Sequence, residues 1–451
     1  MTGHGKTALK IVLVLAAIGA GIWVGSTVSP PPDVEEVEAP ERRVPRPELP
    51  EDYREPVTEH PPPRSMTLEY LDVGLLLAAL AAASLLALKW RSRAGIFVLM
   101  VGCLVYFGFV RKGCVCPIGA IQHASEGLAG GFVVPITVLA FLLLPLVFAL
   151  FVGRVFCSSV CPLGAVQELA LVRPLKVPRW LEEGLGLFAY IYLGLAVLLA
   201  STGALYIICQ YDPFVSIFRL SGNFQILVLG GLVLLVSMFV GRPYCRFLCP
   251  LSVLLRGGSK VAVTSASITP DECVQCRLCE DACPYNAIRA PAEPTHDRRT
   301  GKVSLGLLLL ALPAIVALGA WLGGLSSESL AGTHHTVRQA RAVRAEESLA
   351  TAGMSDEVEA FRLTRRPVRE LYDREAELLG QFRRRAVLFG GWVGLVIGMK
   401  LVLLSMRRTR TDYEAEPGQC VACGRCFRHC PREHLRLARR RGDVEPEEQT
   451  E

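Results

Sequence analysis

Cys273-Val-Gln-Cys276-Arg-Leu-Cys279-Glu-Asp-Ala-Cys283-Pro284 and Cys420-Val-Ala-Cys423-Gly-Arg-Cys426-Phe-Arg-His-Cys430-Pro431 repeat one spacing, C-x2-C-x2-C-x3-C-P, and use eight of the sixteen cysteines in the 451-residue chain. Three cysteines so spaced wrap one corner of an iron-sulfur cube, while the fourth, ahead of proline, reaches the other cluster where two are present. The pattern therefore predicts interleaved ligands for two 4Fe-4S clusters. Cys273, Cys276, Cys279 and Cys430 would hold one, and Cys420, Cys423, Cys426 and Cys283 the other. Structural zinc fits poorly, because it uses two separated cysteine pairs rather than an unbroken run.

Between the runs lie two stretches, 303 to 324 and 386 to 406, each long and apolar enough to cross a bilayer. Interleaved ligands require both runs on one side of the membrane. An out-and-back hairpin satisfies that requirement.

The whole chain has this apolar character: 51% of residues are apolar, 20% are charged, and mean hydropathy is +0.38. These values indicate an integral membrane protein with lipid as part of its solvent. Net charge is +6 with basic residues spread along the chain, which excludes nucleic acid as a partner. Cysteines in ligand spacings indicate metal sites in a reducing compartment, so the two runs should face the cytoplasm.

Apolar windows near 8 to 25, 71 to 89, 94 to 110, 132 to 152, 185 to 205, 224 to 240, 303 to 324 and 386 to 406 predict about eight spans. Lys6, Lys10, Lys89, Arg91, Arg93, Arg154, Arg173, Lys176, Arg179, Arg242, Arg246, Lys260, Arg407, Arg408 and Arg410 then share one side. By the positive-inside rule both termini are cytoplasmic, as expected for the bacterial inner membrane. Arg111, Lys112 and Arg383 to Arg385 fall on the other side. The first window alternatively reads as a signal peptide.

The expected organisation is an N-terminal membrane anchor (1–26), a proline-rich acidic extracytoplasmic tether (27–70), and a membrane core (71–262). A first ferredoxin half (263–302), a transmembrane hairpin (303–406) with a helical outer loop (325–385), and a second ferredoxin half with a tail (407–451) follow. The fold class is mainly α: a polytopic helix bundle plus a small α+β two-cluster ferredoxin domain assembled from two separated segments.

Upstream lies a second repeat, Gly153-Arg154-Val155-Phe156-Cys157-x3-Cys161-Pro162-Leu163 and Gly241-Arg242-Pro243-Tyr244-Cys245-x3-Cys249-Pro250-Leu251. Each copy directly follows an apolar window, so four thiols meet at the cytoplasmic membrane edge. They could bind a metal or a cluster, cycle between dithiol and disulfide, or simply be buried small residues. Cys114, Cys116 and Cys209 form a third group on the predicted outer side, able to hold a metal or pair with one another. Cys103, mid-span, reads as a packing residue. No C-x-x-C-H occurs, which excludes c-type haem.

Lys112-Gly-Cys-Val-Cys-Pro-Ile-Gly-Ala-Ile-Gln122, Cys209-x-Tyr-Asp-Pro-Phe-Val-x-x-Phe-Arg219, the two C-x3-C-P sites and the ferredoxin runs together resemble the NosR and NapH class of membrane-bound polyferredoxins. The resemblance covers roughly residues 70 to 290 and 415 to 435. It implies electron passage between the quinone pool or a flavin and a partner across the membrane, in the service of a reductase or its maturation. NosR-like proteins carry a large flavin-binding domain ahead of this core, where this chain has the tether, and their ferredoxin runs follow each other closely. A separate flavoprotein subunit docking outside would reconcile the difference.

The expected function is electron transfer between the two cytoplasmic clusters and a quinone, flavoprotein or reductase, as one subunit of a respiratory or maturation complex. A further metal, cluster, flavin or quinone would sit at the membrane. Copper reduction or loading for another respiratory enzyme, and a sensor or scaffold with structural clusters, are the alternatives.

Overall fold

The computed structural model describes residues 65–113, 116–130, 132–219, 223–268, 273–292, 298–349, 358, 361–362, 364–406 and 410–441. The expected anchor at 8–25, the tether up to residue 64, and Cys114 lie outside the described residues.

The membrane core begins with α1 (Met66–Lys89) and α2 (Arg93–Val110), whose N-terminus is capped by the Ser92 hydroxyl accepting from the Gly95 amide. It continues through α3 (Pro117–Leu128), α4 (Ile136–Val152), α5 (Val155–Ser159), α6 (Pro162–Ala170), α7 (Arg179–Ser201), α8 (Ile207–Tyr211), α9 (Pro213–Arg219), α10 (Phe224–Ser237), α11 (Pro243–Phe247) and α12 (Pro250–Lys260). The first ferredoxin half contributes α13 (Leu278–Ala282) and β1 (Ile288–Arg289). Next come α14 (Arg298–Leu325), α15 (Ser327–Ala331), α16 (His335–Leu349) and α17 (Val368–Ser405), then β2 (Glu414–Ala415), α18 (Arg425–His429) and α19 (Pro431–Arg441).

The hydropathy windows predict about eight spans, the first of which lies outside the described residues. Among the described residues five helices are long and apolar enough to cross a bilayer: α1, α2, α7, the Leu305–Leu325 part of α14, and α17. Helix α9 with α10 would make a sixth, as a pair bent by 104°. Helix α4 is apolar but has 17 residues, about 25 Å at 1.5 Å per residue against a core of roughly 30 Å. The cause is local. Gly153 adopts φ +78° and ends α4, and a proline in the first turn starts each of α3, α6, α11 and α12. Short helices therefore stand between the long ones.

Three of these short helices share one construction. Cys116, Cys161 and Cys249 are their N-cap residues, in extended backbone with ψ of 112°, 117° and 115°, the conformation required ahead of proline.

Helices α14 and α17 form the expected hairpin. Gly319 and Gly323 pack against Gly390 and Gly394 so closely that a Cβ on Gly394 would lie 2.6 Å from the Ile315 carbonyl oxygen, the small-residue packing that brings membrane helices together. Helix α17 has 38 residues, about 57 Å, and so continues well past the bilayer. Its first turns pack with α16 around Ala340, Val343, Phe361 and Leu371, giving the predicted outer loop a core of its own.

The ferredoxin halves join through a two-stranded antiparallel sheet, Ile288 opposite Ala415 and Arg289 opposite Glu414, extended by a bridge between Ala292 and Arg410. Segments more than a hundred residues apart therefore make one small domain. It docks on the membrane core through Arg91 to Glu433 (2.5 Å), with the Arg91 guanidinium over the Phe427 ring, and through Arg246 to the Pro284 carbonyl (3.5 Å), while Arg289 to Glu416 (2.6 Å) ties its two halves together.

Candidate functional site

Both ferredoxin runs wrap the same way. Gln275 and Arg277 in the first, and Ala422 and Gly424 in the second, take positive φ (49°, 64°, 55° and 73°) at matching positions between cysteines. Only at 424 is the residue a glycine, so three side chains accept the strained left-handed region. The turns place the cysteines around a common centre and then launch the short helices α13 and α18.

Cys279 lies within electrostatic reach of Cys273, Cys276 and Cys430, and all four line one cavity of about 350 Å3. Cys426 lies within reach of Cys420, Cys423 and Cys283. The fourth cysteine of each run thus stands with the other run's first three. Burial pushes the Cys279 thiol up to about 11 and Cys420 up to about 12. Such thiols carry no charge at neutral pH without a cation to neutralise, so binding a cluster would release their protons. Among the described residues no three His, Cys, Asp or Glu side chains converge to chelate a single ion. A cube, which interposes several iron atoms between its ligands, suits the more open spacing.

The four C-x3-C-P cysteines also come together. Cys249 is within reach of Cys245, Cys161 and Cys157, and Gln167 Nε2 donates to Cys245 Sγ at 3.3 Å while its Oε1 accepts from the Tyr244 amide at 3.1 Å. The repeated Gly-Arg ahead of each motif has a definite job. Arg154 donates to Cys157 Sγ (3.7 Å) and to the Gly418 carbonyl (3.1 Å), two residues before Cys420. Arg242, 1% exposed, donates to the Cys157 and Ser158 carbonyls and interacts with both Cys245 and Cys423. Gly241 leaves room for the Pro284 carbonyl, which would sit 2.7 Å from a Cβ there. The two arginines therefore lie between this thiol group and the second ferredoxin site.

Glu168, 4% exposed, organises the junction. It accepts from Arg93 (2.9 Å), Arg242 (3.1 Å), Arg425 (2.9 Å) and the Tyr285 hydroxyl. Burial alone would raise its pKa, but Arg242, Arg425, Tyr285 and Arg93 bring it down to about 2. One carboxylate thus ties together α2, the second C-x3-C-P motif and both ferredoxin halves.

The sequence expectation puts the C-x3-C-P thiols at the membrane edge and Cys116 with Cys209 on the far side; in the structure the two groups adjoin. Cys161 caps α6 seven residues before Glu168, roughly 10 Å along the helix axis, and lies within electrostatic reach of Cys116. Cys116 in turn is within reach of Asp212 and Cys209, and the three line a second cavity of about 350 Å3 with Asp72, Arg111 and His123. Cys103 packs in the main core.

Residues 134–179 and 223–263, which hold all four C-x3-C-P cysteines, match a family model described as a 4Fe-4S binding domain, and residues 266–289 match a second of the same description. The chain is 32% identical over 190 residues to an uncharacterized protein of Methanocaldococcus jannaschii, covering 40% of this chain and 77% of that one. It is 34% identical over 152 residues to Protein NirI of Paracoccus denitrificans, and 33% over 151 to Regulatory protein NosR of Pseudomonas aeruginosa. The chain belongs to the NosR/NapH-like membrane polyferredoxins. These matches cover 31% and 30% of this polyferredoxin, but only 22% of NirI and 21% of NosR. No solved structure matches it. The polyferredoxin is a membrane protein whose 4Fe-4S domains serve iron-sulfur electron transfer.

Sequence reasoning singled out the cysteines and missed Gln167, Glu168, Tyr285 and Arg425. Arg154 and Arg242 were in plain sight, since the repeat is G-R-x-aromatic-C-x3-C-P-L in both copies. The arginine recurs because each copy must neutralise thiolates and hold a ferredoxin loop.

Proposed function

We propose that this polyferredoxin is a transmembrane electron wire, passing electrons between cytoplasmic 4Fe-4S clusters and a quinone, flavoprotein or reductase partner at the membrane or beyond it. Cys273, Cys276, Cys279 and Cys430 hold the outermost cluster, Cys420, Cys423, Cys426 and Cys283 the next, and Cys157, Cys161, Cys245 and Cys249 a third within the membrane. The clusters supply one-electron transfer, with potentials tuned by hydrogen bonds to sulfur and by solvent exposure. The residues do the positioning: Arg154 and Arg242 fix the distance between the second and third groups and counter their negative charge, and Glu168 holds both arginine-bearing elements to α2. The ferredoxin end faces the cytoplasm, where the basic residues gather. A respiratory or maturation complex supplies the partner subunits.

One observation carries this assignment above all. The second ferredoxin site and the C-x3-C-P site share their arginines, with Arg242 interacting with both Cys245 and Cys423. The test is anaerobic purification with iron and sulfide quantification and EPR. About twelve iron atoms are expected for three cubes, falling by about four when Cys157, Cys161, Cys245 and Cys249 become serine. Iron near eight in both proteins would refute the third cluster. Stoichiometric copper lost on the same substitutions would favour metal handling instead.

A further inference from the structure

The C-x3-C-P site has a second copy, built from Cys116, Cys209 and Asp212. Cys116-Pro-Ile-Gly-Ala-Ile-Gln122 repeats Cys161-Pro-Leu-Gly-Ala-Val-Gln167, with cysteine, proline, glycine, alanine and glutamine at the same positions and aliphatic residues at the other two. The repeat is carried into three dimensions. Both cysteines cap a helix whose first residue is proline. Gln167 accepts from the Tyr244 amide beside Cys245, and Gln122, fully buried, accepts from the Ile208 and Cys209 amides at 3.1 and 3.3 Å. Each glutamine thus clamps the short helix that carries a cysteine, α11 in one case and α8 in the other, so Cys209 stands where Cys245 stands. Each glycine admits the partner motif. A Cβ on Gly164 would meet Arg242 Nη1 of the other C-x3-C-P motif at 3.1 Å, and one on Gly119 would meet Cys209 Sγ at 3.2 Å.

The third member follows from the same correspondence. Four residues after Cys245, Cys249 precedes the proline that opens α12; three residues after Cys209, Asp212 precedes the proline that opens α9. The backbones agree, at φ −61°, ψ 115° for Cys249 and φ −69°, ψ 113° for Asp212. Asp212 is 3% exposed, with Oδ1 accepting from the Phe214 amide at 2.8 Å. A carboxylate in this setting is costly to bury without a cation. Two further observations point to a ligand. Gln122 Nε2 is buried with no partner among the described residues, while its counterpart Gln167 Nε2 donates to a cysteine sulfur. And Cys116, Cys209 and Asp212 open on the cavity of about 350 Å3.

We propose that Cys116, Cys209 and Asp212 ligate a further iron-sulfur cluster, with the Asp212 carboxylate in the place of a cysteine. The inference rests on the assignment of a cluster to Cys157, Cys161, Cys245 and Cys249, since it takes the ligand class from that copy. The two sites adjoin. Tyr244, next to Cys245, packs edge-on against Phe214, two residues after Asp212, with ring centroids 5.3 Å apart. The carboxylate ligand sets the new cluster apart electronically from the all-thiolate one, because oxygen is a harder donor than sulfur.

The experiment compares the full chain with Cys209→Ala, Asp212→Ala, Asp212→Cys and, as the independent control, Cys245→Ala, each purified anaerobically for iron, sulfide and EPR. With this cluster added to the three above, the wild type should hold about sixteen iron atoms, and Cys209→Ala and Asp212→Ala should each lose about four while the ferredoxin signals persist. Asp212→Cys should keep all its iron and change one EPR signal and its midpoint potential. Wild-type iron in both alanine variants, or an Asp212→Cys spectrum indistinguishable from wild type, overturns the proposal. If Cys245→Ala loses iron and Cys209→Ala does not, only this inference fails. If neither loses iron, the assignment beneath it fails as well. Should the alanine variants not fold, the Asp212→Cys spectrum decides by itself.

Discussion

Glu168→Gln removes one negative charge from a site where three guanidinium groups and a phenol converge, while keeping shape and two polar atoms. The carboxyl sits at about 2 against its usual 4.5, and at 1.36 kcal/mol per unit that difference is worth about 3 kcal/mol to the assembled state. Breaking a buried ion pair by removing one partner costs about 3 to 5 kcal/mol, so two routes agree. Because Arg425 and Tyr285 belong to the ferredoxin halves and Arg93 and Arg242 to the membrane core, the loss falls on docking. The assay is bleaching of the visible cluster absorption in detergent at a fixed guanidinium concentration. Glu168→Gln should bleach faster, by up to roughly 100-fold for about 3 kcal/mol. The depressed pKa also fixes a sign. The stabilisation is complete above about 4.5 and disappears as pH falls towards 2, so the gap between wild type and variant should close over that window. Equal bleaching rates at pH 7 in monodisperse protein, or a gap independent of pH, would refute the hub.

Cys430→Ser should remove the cluster built mainly by the first run, and Cys283→Ser the one built mainly by the second, because each fourth cysteine stands with the other run; EPR of singly reduced samples separates the two, and loss within the same run would contradict interleaving. Gly390→Leu should break the α14–α17 hairpin, since a side chain there meets the Gly319 carbonyl at once; a lowered melting temperature in detergent and protease nicking of the outer loop are the readouts. Arg154→Ala should leave the iron content of the ferredoxin runs intact but slow electron transfer from them to the C-x3-C-P group, because the Gly418 and Cys157 contacts are lost together; stopped-flow reduction kinetics would show it.

Cysteine spacing made the grouping of the run cysteines legible because the constraint is local: each run brings its first three cysteines together within twelve residues. The hairpin was legible for a related reason, since two ligand sets that must interleave leave only one side for both. The Glu168 hub was not legible. Its partners lie at 93, 242, 285 and 425, and nothing in the residues around 168 announces that four separated segments meet there. The number of spans was less legible. Hydropathy averages over about 19 residues and does not register where a helix stops: the window at 132 to 152 reads as a span, but its helix is the 17 residues Ile136–Val152, ended by Gly153 at φ +78°. The cysteine-proline joints at 116, 161 and 249 fall outside every window.

Those joints alter the central difficulty of moving an electron through a hydrocarbon core of about 30 Å. Ten residues of α12 separate Cys249 from Ser259, roughly 15 Å along its axis, and the Ser259 hydroxyl donates to the Pro417 carbonyl at 2.8 Å. A thiol in the middle of the layer is reachable only if the backbone stops there, and a half-helix that stops exposes its amides. In a membrane such breaks survive where they line a site rather than lipid. The N-termini of α3, α6 and α12 point their positive ends at the same thiols, which favours the net negative charge of a thiolate-bound cluster. The same proline that breaks the span thus supplies both the depth and the field that a mid-membrane redox site needs, which is why Cys-Pro recurs at 116, 161 and 249.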